Sequence, residues 1–217
     1  MTQGPAAPFP RDPSARPMPF DRVLGALPTR SPGAREAGAA VLIVGRPRDD
    51  RDSEILLIER AVRPNDPGSG QVALPGGRVA PEDLTLSDTA LREVEEEVGL
   101  GAGDVQRPLR YVSTESAHAF DLTVAVFAAA LSDRAREPLP RSPEEVARCF
   151  WLPSRTLVEG TTMGRETRFG RREVEATVYD GHVLWGFTRR VLRQFFGLEP
   201  SPAVAHRPEP APPGGEG

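Results

Sequence analysis

The chain has 217 residues, 38% hydrophobic and 27% charged, the balance of one soluble globular domain with extensions, and no apolar run approaches the ~18 residues a membrane span needs. Its 27 basic residues, all arginine, stand against 31 acids for a net charge of −4, which excludes a protein that coats nucleic acid through bulk charge. A single cysteine, Cys149, excludes a disulfide framework and a cysteine-clustered zinc site, and three histidines leave little room for a histidine-rich metal centre.

Residues 1–17 carry Pro5, Pro8, Pro10, Pro13 and Pro17 with no apolar h-region or cleavage site, so they read as a disordered tail and not a secretory signal; the expected setting is cytoplasmic. Phe20, Val23, Leu24 and Leu27 are spaced for one short helix in a lead-in over 18–34. Residues 39–44 and 54–58 read as two strands around a charged turn at 46–52, with further strands at 109–113, 122–129 and 149–152. A late hairpin is predicted from 167–169 and 173–178 on either side of Gly170. Helical spacing covers about 87–98, with Ser87 as N-cap and Gly99 as stop, and about 182–196, ending at Gly197. In the second helix Val183, Trp185 or Gly186, Val191, Leu192 and Phe195 point inward, and Arg189, Arg190 and Arg193 fall on the solvated face. Residues 199–217 are Pro/Ala/Gly-rich and read as disordered. The pattern predicts one domain over 18–198, an α/β/α sandwich with a mixed central sheet.

The most informative stretch begins at Pro75-Gly76-Gly77 and ends at Gly99-Leu100. On a helical wheel at roughly 100° per residue, Glu93, Glu96 and Glu97 share about a third of the circumference. Leu91, Val94 and Val98 form the apolar stripe beside them, Arg92 lies one turn from Glu96, and Glu95 points away to solvent. Clustered carboxylates repel unless a cation joins them, and oxygen-only ligands select a hard one, Mg²⁺ or Mn²⁺, that grips phosphate oxygens and activates water. The Gly-Gly turn lets backbone approach the same cluster.

Gly77, the acid at 83, Arg92-Glu93, Val94, Glu96-Glu97 and Gly99-Leu100 together resemble the Nudix box, the signature of hydrolases of nucleoside diphosphates linked to another moiety. The loop before Arg92 is one residue longer than the family pattern, and either Asp83 or Glu82 takes the shifted acidic position. Arg60, Gly70-Gln71 before the Leu74-Pro75-Gly76-Gly77 turn, the lengthened loop and Leu184-Trp185-Gly186-Phe187 are similar to the coenzyme A diphosphatase branch; Gly68 and Ala80 stand where that branch has His and Asp. The resemblance implies a Mg²⁺- or Mn²⁺-dependent diphosphatase. Glu93, Glu96, Glu97 and the Gly77 carbonyl would hold metal. Glu96 by preference, another of the glutamates or a metal-bound hydroxide would serve as base, and Arg92 would orient the carboxylates. The implied partner is a small nucleotide such as coenzyme A or acyl-CoA, with ADP-ribose, nucleotide sugars or dinucleotides as rivals and a non-catalytic nucleotide-binding module as the alternative from another class. No nucleic acid or membrane partner is implied, and a homodimer is left open.

Around this box, Arg60, Arg63, Gln71 and Gly76 are the candidate substrate contacts. The two arginines either meet phosphates or decorate the surface, and Gln71 either positions substrate or holds its loop. His118 with Glu115 and Asp121 reads more as a polar loop than a catalytic one. Trp151 and Trp185 are expected in the core, with adenine stacking open to one of them, and Cys149 as a buried thiol.

Overall fold

A computed structural model of the chain describes residues 16–199 apart from 31, 34, 50–51, 65, 67, 118–120 and 168–169. The two tail expectations (for 1–15 and 200–217) and the His118 reading therefore lie outside the described residues.

Alternation of apolar side chains builds the central sheet. In β1 (Ala39–Asp49) and β2 (Asp52–Arg60), Ile43, Ile55 and Leu57 face one way while Leu42, Val44, Leu56 and Ile58 face the other, all of them buried. A strand apolar on both faces belongs in the middle of a covered sheet. β1 does lie there, antiparallel to β2, parallel to β6 (Leu122–Ala130) and antiparallel at its start to β4 (Gly76–Arg78). β3 (Val72–Ala73) and β7 (Val146–Pro153) pair with β2, and β5 (Arg110–Ala117) with β6, giving a mixed sheet of seven strands. The segment 46–52, predicted as a turn, is mostly strand: the β1–β2 ladder runs out to Asp49 opposite Asp52. Of its charges, Arg48 and Asp49 are exposed, whereas Asp52 is buried and accepts from Ser154 and Arg155.

One face of the sheet is covered by α2 (Leu86–Val98), through Leu86, Ala90, Val94 and Val98. The other is covered by α1 (Phe20–Ala26) and α3 (Gly186–Phe195), whose Phe20, Val191, Leu192 and Phe195 pack with Phe196 on Ile43, Ile55 and Val126. The expected α/β/α sandwich is thus present. α1 and α3 meet through rings at 5.4 Å (Phe20–Phe195) and through the Met18 N–H, which donates to the Phe196 carbonyl at 3.2 Å.

Two helix boundaries differ from the sequence reading. The N-cap of α2 is Thr85, not Ser87: Thr85 and Asp88 form a reciprocal capping box, and a β-region residue two positions earlier lets helix begin at Leu86. Residues 182–185 are not helix but β10 (His182–Trp185), which joins β8 (Thr161–Thr167) and β9 (Gly170–Tyr179) in a separate three-stranded sheet. His182, Val183 and Leu184 carry a short apolar run that fits either period, and pairing with β9 decides it. The late hairpin is present as β8–β9; Arg168 and Phe169 at its tip fall outside the described residues.

The arginines of α3 are also placed differently. Arg189 is 6% exposed, and its guanidinium donates to Thr177 Oγ1 and Glu175 Oε2, both at 3.2 Å. Arg190 donates to Glu115 at 2.6 Å, and Arg193 to the Leu157 carbonyl and, at 2.5 Å, to Glu199. The added sheet and the 3-10 turn Ser154–Val158 cover the face that an isolated wheel leaves to solvent. Glu199, assigned from composition to the tail, is tied to the helix by that bond.

Candidate active site

The turn Pro75-Gly76-Gly77 leads into β4, which lies against the start of β1 with Val41 opposite Gly76 and Ala40 opposite Gly77. Gly76 has φ of 150°, and a Cβ there would stand 2.3 Å from the Ala40 carbonyl oxygen. A Cβ on Gly77 would stand 2.5 Å from the Glu93 carboxylate, so only glycine lets this backbone touch the helix's acid face.

On α2 the acids divide by environment. Glu95 is exposed, as the wheel predicts. Glu96 has 56% of its side chain exposed at the cleft, whereas Glu97 is only 3% exposed and its Oε2 accepts the Gly76 N–H at 2.9 Å. Burial pushes the Glu97 carboxyl up to about 8, with the Glu93 charge adding to it, and burial likewise raises Glu93. Arg92 spans the group: Nη1 donates to Glu93 Oε1 at 2.9 Å and to Glu96 Oε2 at 3.0 Å. Its Nε and Nη2 donate to Asp83 at 3.1 and 3.0 Å, and Nη2 also to the Arg78 carbonyl. Asp83 therefore takes the acidic position that the lengthened loop left open between it and Glu82. Its carboxyl is held down to about 2, first by the bonds from Arg92. The Ala80 N–H and Thr89 hydroxyl complete four donors to it.

A cleft of about 830 Å³ opens across the first residues of the parallel pair β1 and β6. Glu93, Glu96 and Gly77 line it together with Arg60, Arg63 and Gln71. Of the remaining predicted residues, Arg92, Glu97 and Gly76 sit behind this lining, in contact with it. Asp66 sets the two arginines: it accepts from Arg60 Nη2 at 2.8 Å and Arg63 Nη2 at 3.2 Å. Burial works to raise Asp66, but the bonds from Arg60, the Gly68 N–H and Arg63 outweigh it and hold the carboxyl below its usual value. The Nε atoms of both arginines are buried with no hydrogen-bond partner among the described residues.

Sequence reasoning missed Asp66 and Glu145. Glu145 lines the cleft 3.6 Å from Arg63 and adds its charge against Glu93 and Glu97. Only tertiary pairing brings it there, ahead of β7. Trp185 lines the cleft, while Trp151 lies under the Arg46 guanidinium at 4.0 Å and donates to Glu137. Cys149 is half-buried, its thiol donating to the Pro138 carbonyl.

Among the described residues no three His, Cys, Asp or Glu side chains stand close enough together to form a ready metal cage. Arg92 holds Glu93 and Glu96, and Gly76 holds Glu97. The donor chemistry nevertheless fits a hard divalent cation. Every acidic side chain here offers oxygen only, burial disfavours the charged forms of Glu97 and Glu93 that a cation would favour, and Gly77 keeps that surface open.

A Gly-Gly turn pressed against a glutamate helix, on a mixed-sheet sandwich, is the arrangement of a Nudix fold. The family model described as NUDIX domain matches residues 36–172, and the chain belongs to the Nudix family. It is 30% identical over 167 residues, 73% of this chain and 77% of the relative, to an uncharacterised Nudix hydrolase NudL of Yersinia pestis (strain Pestoides F). The same figures hold for the NudL of Yersinia pseudotuberculosis serotype O:1b (strain IP 31758). Among solved structures, a Nudix hydrolase from M. smegmatis, RenU, aligns with TM-score 0.42 and 24% identity over 54% of this chain and 70% of that one. A MutT NUDIX hydrolase from Burkholderia pseudomallei aligns with TM-score 0.40 and 23% identity over 60% and 92%. The protein is a Nudix hydrolase acting on small nucleoside diphosphate derivatives, a family that generally uses divalent metal ions. None of its described helices is long and apolar enough to cross a membrane.

Proposed function

We propose that the chain hydrolyses the diphosphate bond of coenzyme A or an acyl-CoA, giving 4′-phosphopantetheine (or its acyl form) and adenosine 3′,5′-bisphosphate. The carrying observation is the cleft itself, which brings Glu93 and Glu96 into one lining with Arg60 and Arg63. A diphosphate fits a cleft that carries carboxylates beside its arginines only when a cation offsets the carboxylates. Glu93, Glu96, Glu97 and the Gly77 carbonyl are the residues that would hold Mg²⁺ or Mn²⁺, which when bound offsets phosphate charge and activates water. Arg60 and Arg63 take up non-bridging phosphate oxygens and keep the chain's own charge balanced as the leaving group departs. Arg92, braced by Asp83, fixes where the Glu93 and Glu96 carboxylates point. Glu96, the most exposed of the three glutamates, is the preferred base because a proton taken there passes directly to solvent.

The CoA assignment is supported by Gly70-Gln71, the lengthened loop and the Trp185 segment. Gly68 and Ala80, where that branch has His and Asp, count against it. The test is a panel of CoA, ADP-ribose, NADH, dinucleotides and nucleotide sugars, with and without Mg²⁺, with products identified. CoA should give the highest kcat/KM. Equal or better turnover of ADP-ribose would reject CoA, and full activity in chelator would reject the metal reading.

A further inference from the structure

Arg60 and Arg63 line the cleft from the end of β2 and the loop that follows it, and one carboxylate oxygen holds both. Asp66 Oδ2 accepts from Arg60 Nη2 at 2.8 Å and from Arg63 Nη2 at 3.2 Å. Its Oδ1 accepts the Gly68 N–H at 2.8 Å, which fixes the direction of the carboxylate itself. The loop closes on that point: the Arg63 N–H donates to Ser69 Oγ at 2.7 Å, and the Ser69 N–H to the Asp66 carbonyl at 3.0 Å. The Arg60 N–H donates to the Gln71 carbonyl at 3.0 Å and so joins the two ends of the loop. A second acid, Glu145, meets Arg63 at the longer distance of 3.6 Å. Each arginine gives Asp66 one nitrogen of its fork and still faces the cleft, with 26% of the Arg60 side chain and 38% of the Arg63 side chain exposed.

Two cations this close repel, and each ends a long side chain with many rotamers. Without a shared acceptor they would splay, and an arriving phosphate would have to order both, which weakens binding. We infer that Asp66 is a positioning residue of the hydrolase, holding Arg60 and Arg63 side by side so that a substrate's diphosphate meets guanidinium groups already aimed. It acts through the two arginines and not on the reacting atoms. This role rests on reading the cleft as the diphosphate site with Arg60 and Arg63 as its phosphate contacts.

A mutant cycle on the full chain in Mg²⁺ tests it, read as kcat/KM on the fastest-cleaved member of the substrate panel. Its members are wild type, Asp66→Asn, the double variant Arg60→Gln with Arg63→Gln, and the triple variant. Asparagine keeps an oxygen for the Gly68 N–H but turns an uncharged amide donor toward the arginines. Asp66→Asn should lower kcat/KM about tenfold in the wild-type background, the loss of one charge-assisted contact. In the double variant the same substitution should change kcat/KM less than about twofold, because nothing is left to position. An equal fall in both backgrounds would make Asp66 a brace of its loop alone. An unchanged kcat/KM in Asp66→Asn, beside a double variant that has lost activity, would show that the arginines aim themselves. Either result overturns the positioning role and leaves the diphosphate reading standing. A double variant with wild-type kcat/KM would reject the arginines as phosphate contacts, and the role of Asp66 with them. If Asp66→Asn does not fold, Asp66→Glu takes its place in the cycle. Its carboxylate stands one methylene out of position, and its effect on kcat/KM must likewise vanish without the arginines.

Discussion

Asp83→Ala tests the brace behind the glutamate helix α2. The Asp83 side chain is 3% exposed and accepts from the Ala80 N–H, the Thr89 hydroxyl and two nitrogens of Arg92. Breaking a buried charged pair costs about 3–5 kcal/mol. Arg92 keeps Glu93, Glu96 and 22% exposure, which places the loss at the low end, about 3 kcal/mol. For a domain of this size that lowers Tm by roughly 6–12 °C. Glu82→Ala, one residue away and exposed, should change stability by less than about 0.5 kcal/mol. Calorimetry at pH 7 measures both, and kcat on the best substrate should fall with Asp83→Ala because the guanidinium no longer has a fixed origin. The sign with pH follows from a folded value near 2 against 3.8 in the unfolded chain. The stabilisation is full above the unfolded value and is lost as pH falls through the folded one, so wild type and Asp83→Ala converge in acid. If Glu82→Ala matches Asp83→Ala, or Asp83→Ala costs under about 1 kcal/mol, the brace is misassigned.

Three further outcomes are expected. Glu96→Gln and Glu97→Gln should each lower kcat about 10²-fold or more in steady-state assays, with Glu95→Gln nearly silent; equal damage from Glu95→Gln would refute the division of the helix face. In chelator, the contribution of Glu97 to stability should be full below its ordinary value of 4.5 and be lost as pH rises to about 8, because over that window the unfolded chain releases a proton that buried Glu97 retains. Mg²⁺ at 100 times its Kd should add about 2.7 kcal/mol at neutral pH, and thermal melts across pH with EDTA or Mg²⁺ check both statements. A chain trimmed to 18–199 should keep its activity and lose less than about 1–2 kcal/mol, measured by denaturant unfolding.

The parts of this molecule legible from sequence are those governed by local period. The two-faced burial of 39–44 and 54–58, the glutamate face of α2 and the Gly-Gly turn all follow from spacing within a dozen residues. What escaped depends on partners far along the chain. The run 182–185 became strand because β9 pairs with it, and Arg189 is buried because Thr177 and Glu175 come to meet it. Asp66 and Glu145 reach the cleft by loop closure, which leaves no periodic trace. The Ser87 cap was a near miss: Thr85 and Asp88 spell the box, but the apolar Leu86 between them obscured where helix begins.

The bond from Met18 to Phe196 brings the first and last described elements side by side, with Phe20 against Phe195. The packing is thus a closed circuit through which the backbone passes once, and the point at which it is cut is a matter of connectivity and not of stability. A permuted chain joining 199 to 18 through a short Gly/Ser bridge, with new termini between Asp49 and Asp52, would retain both faces of the sheet and every cleft residue on its own element. The fold can in this way be tethered by its central β1–β2 hairpin instead of its helical clasp.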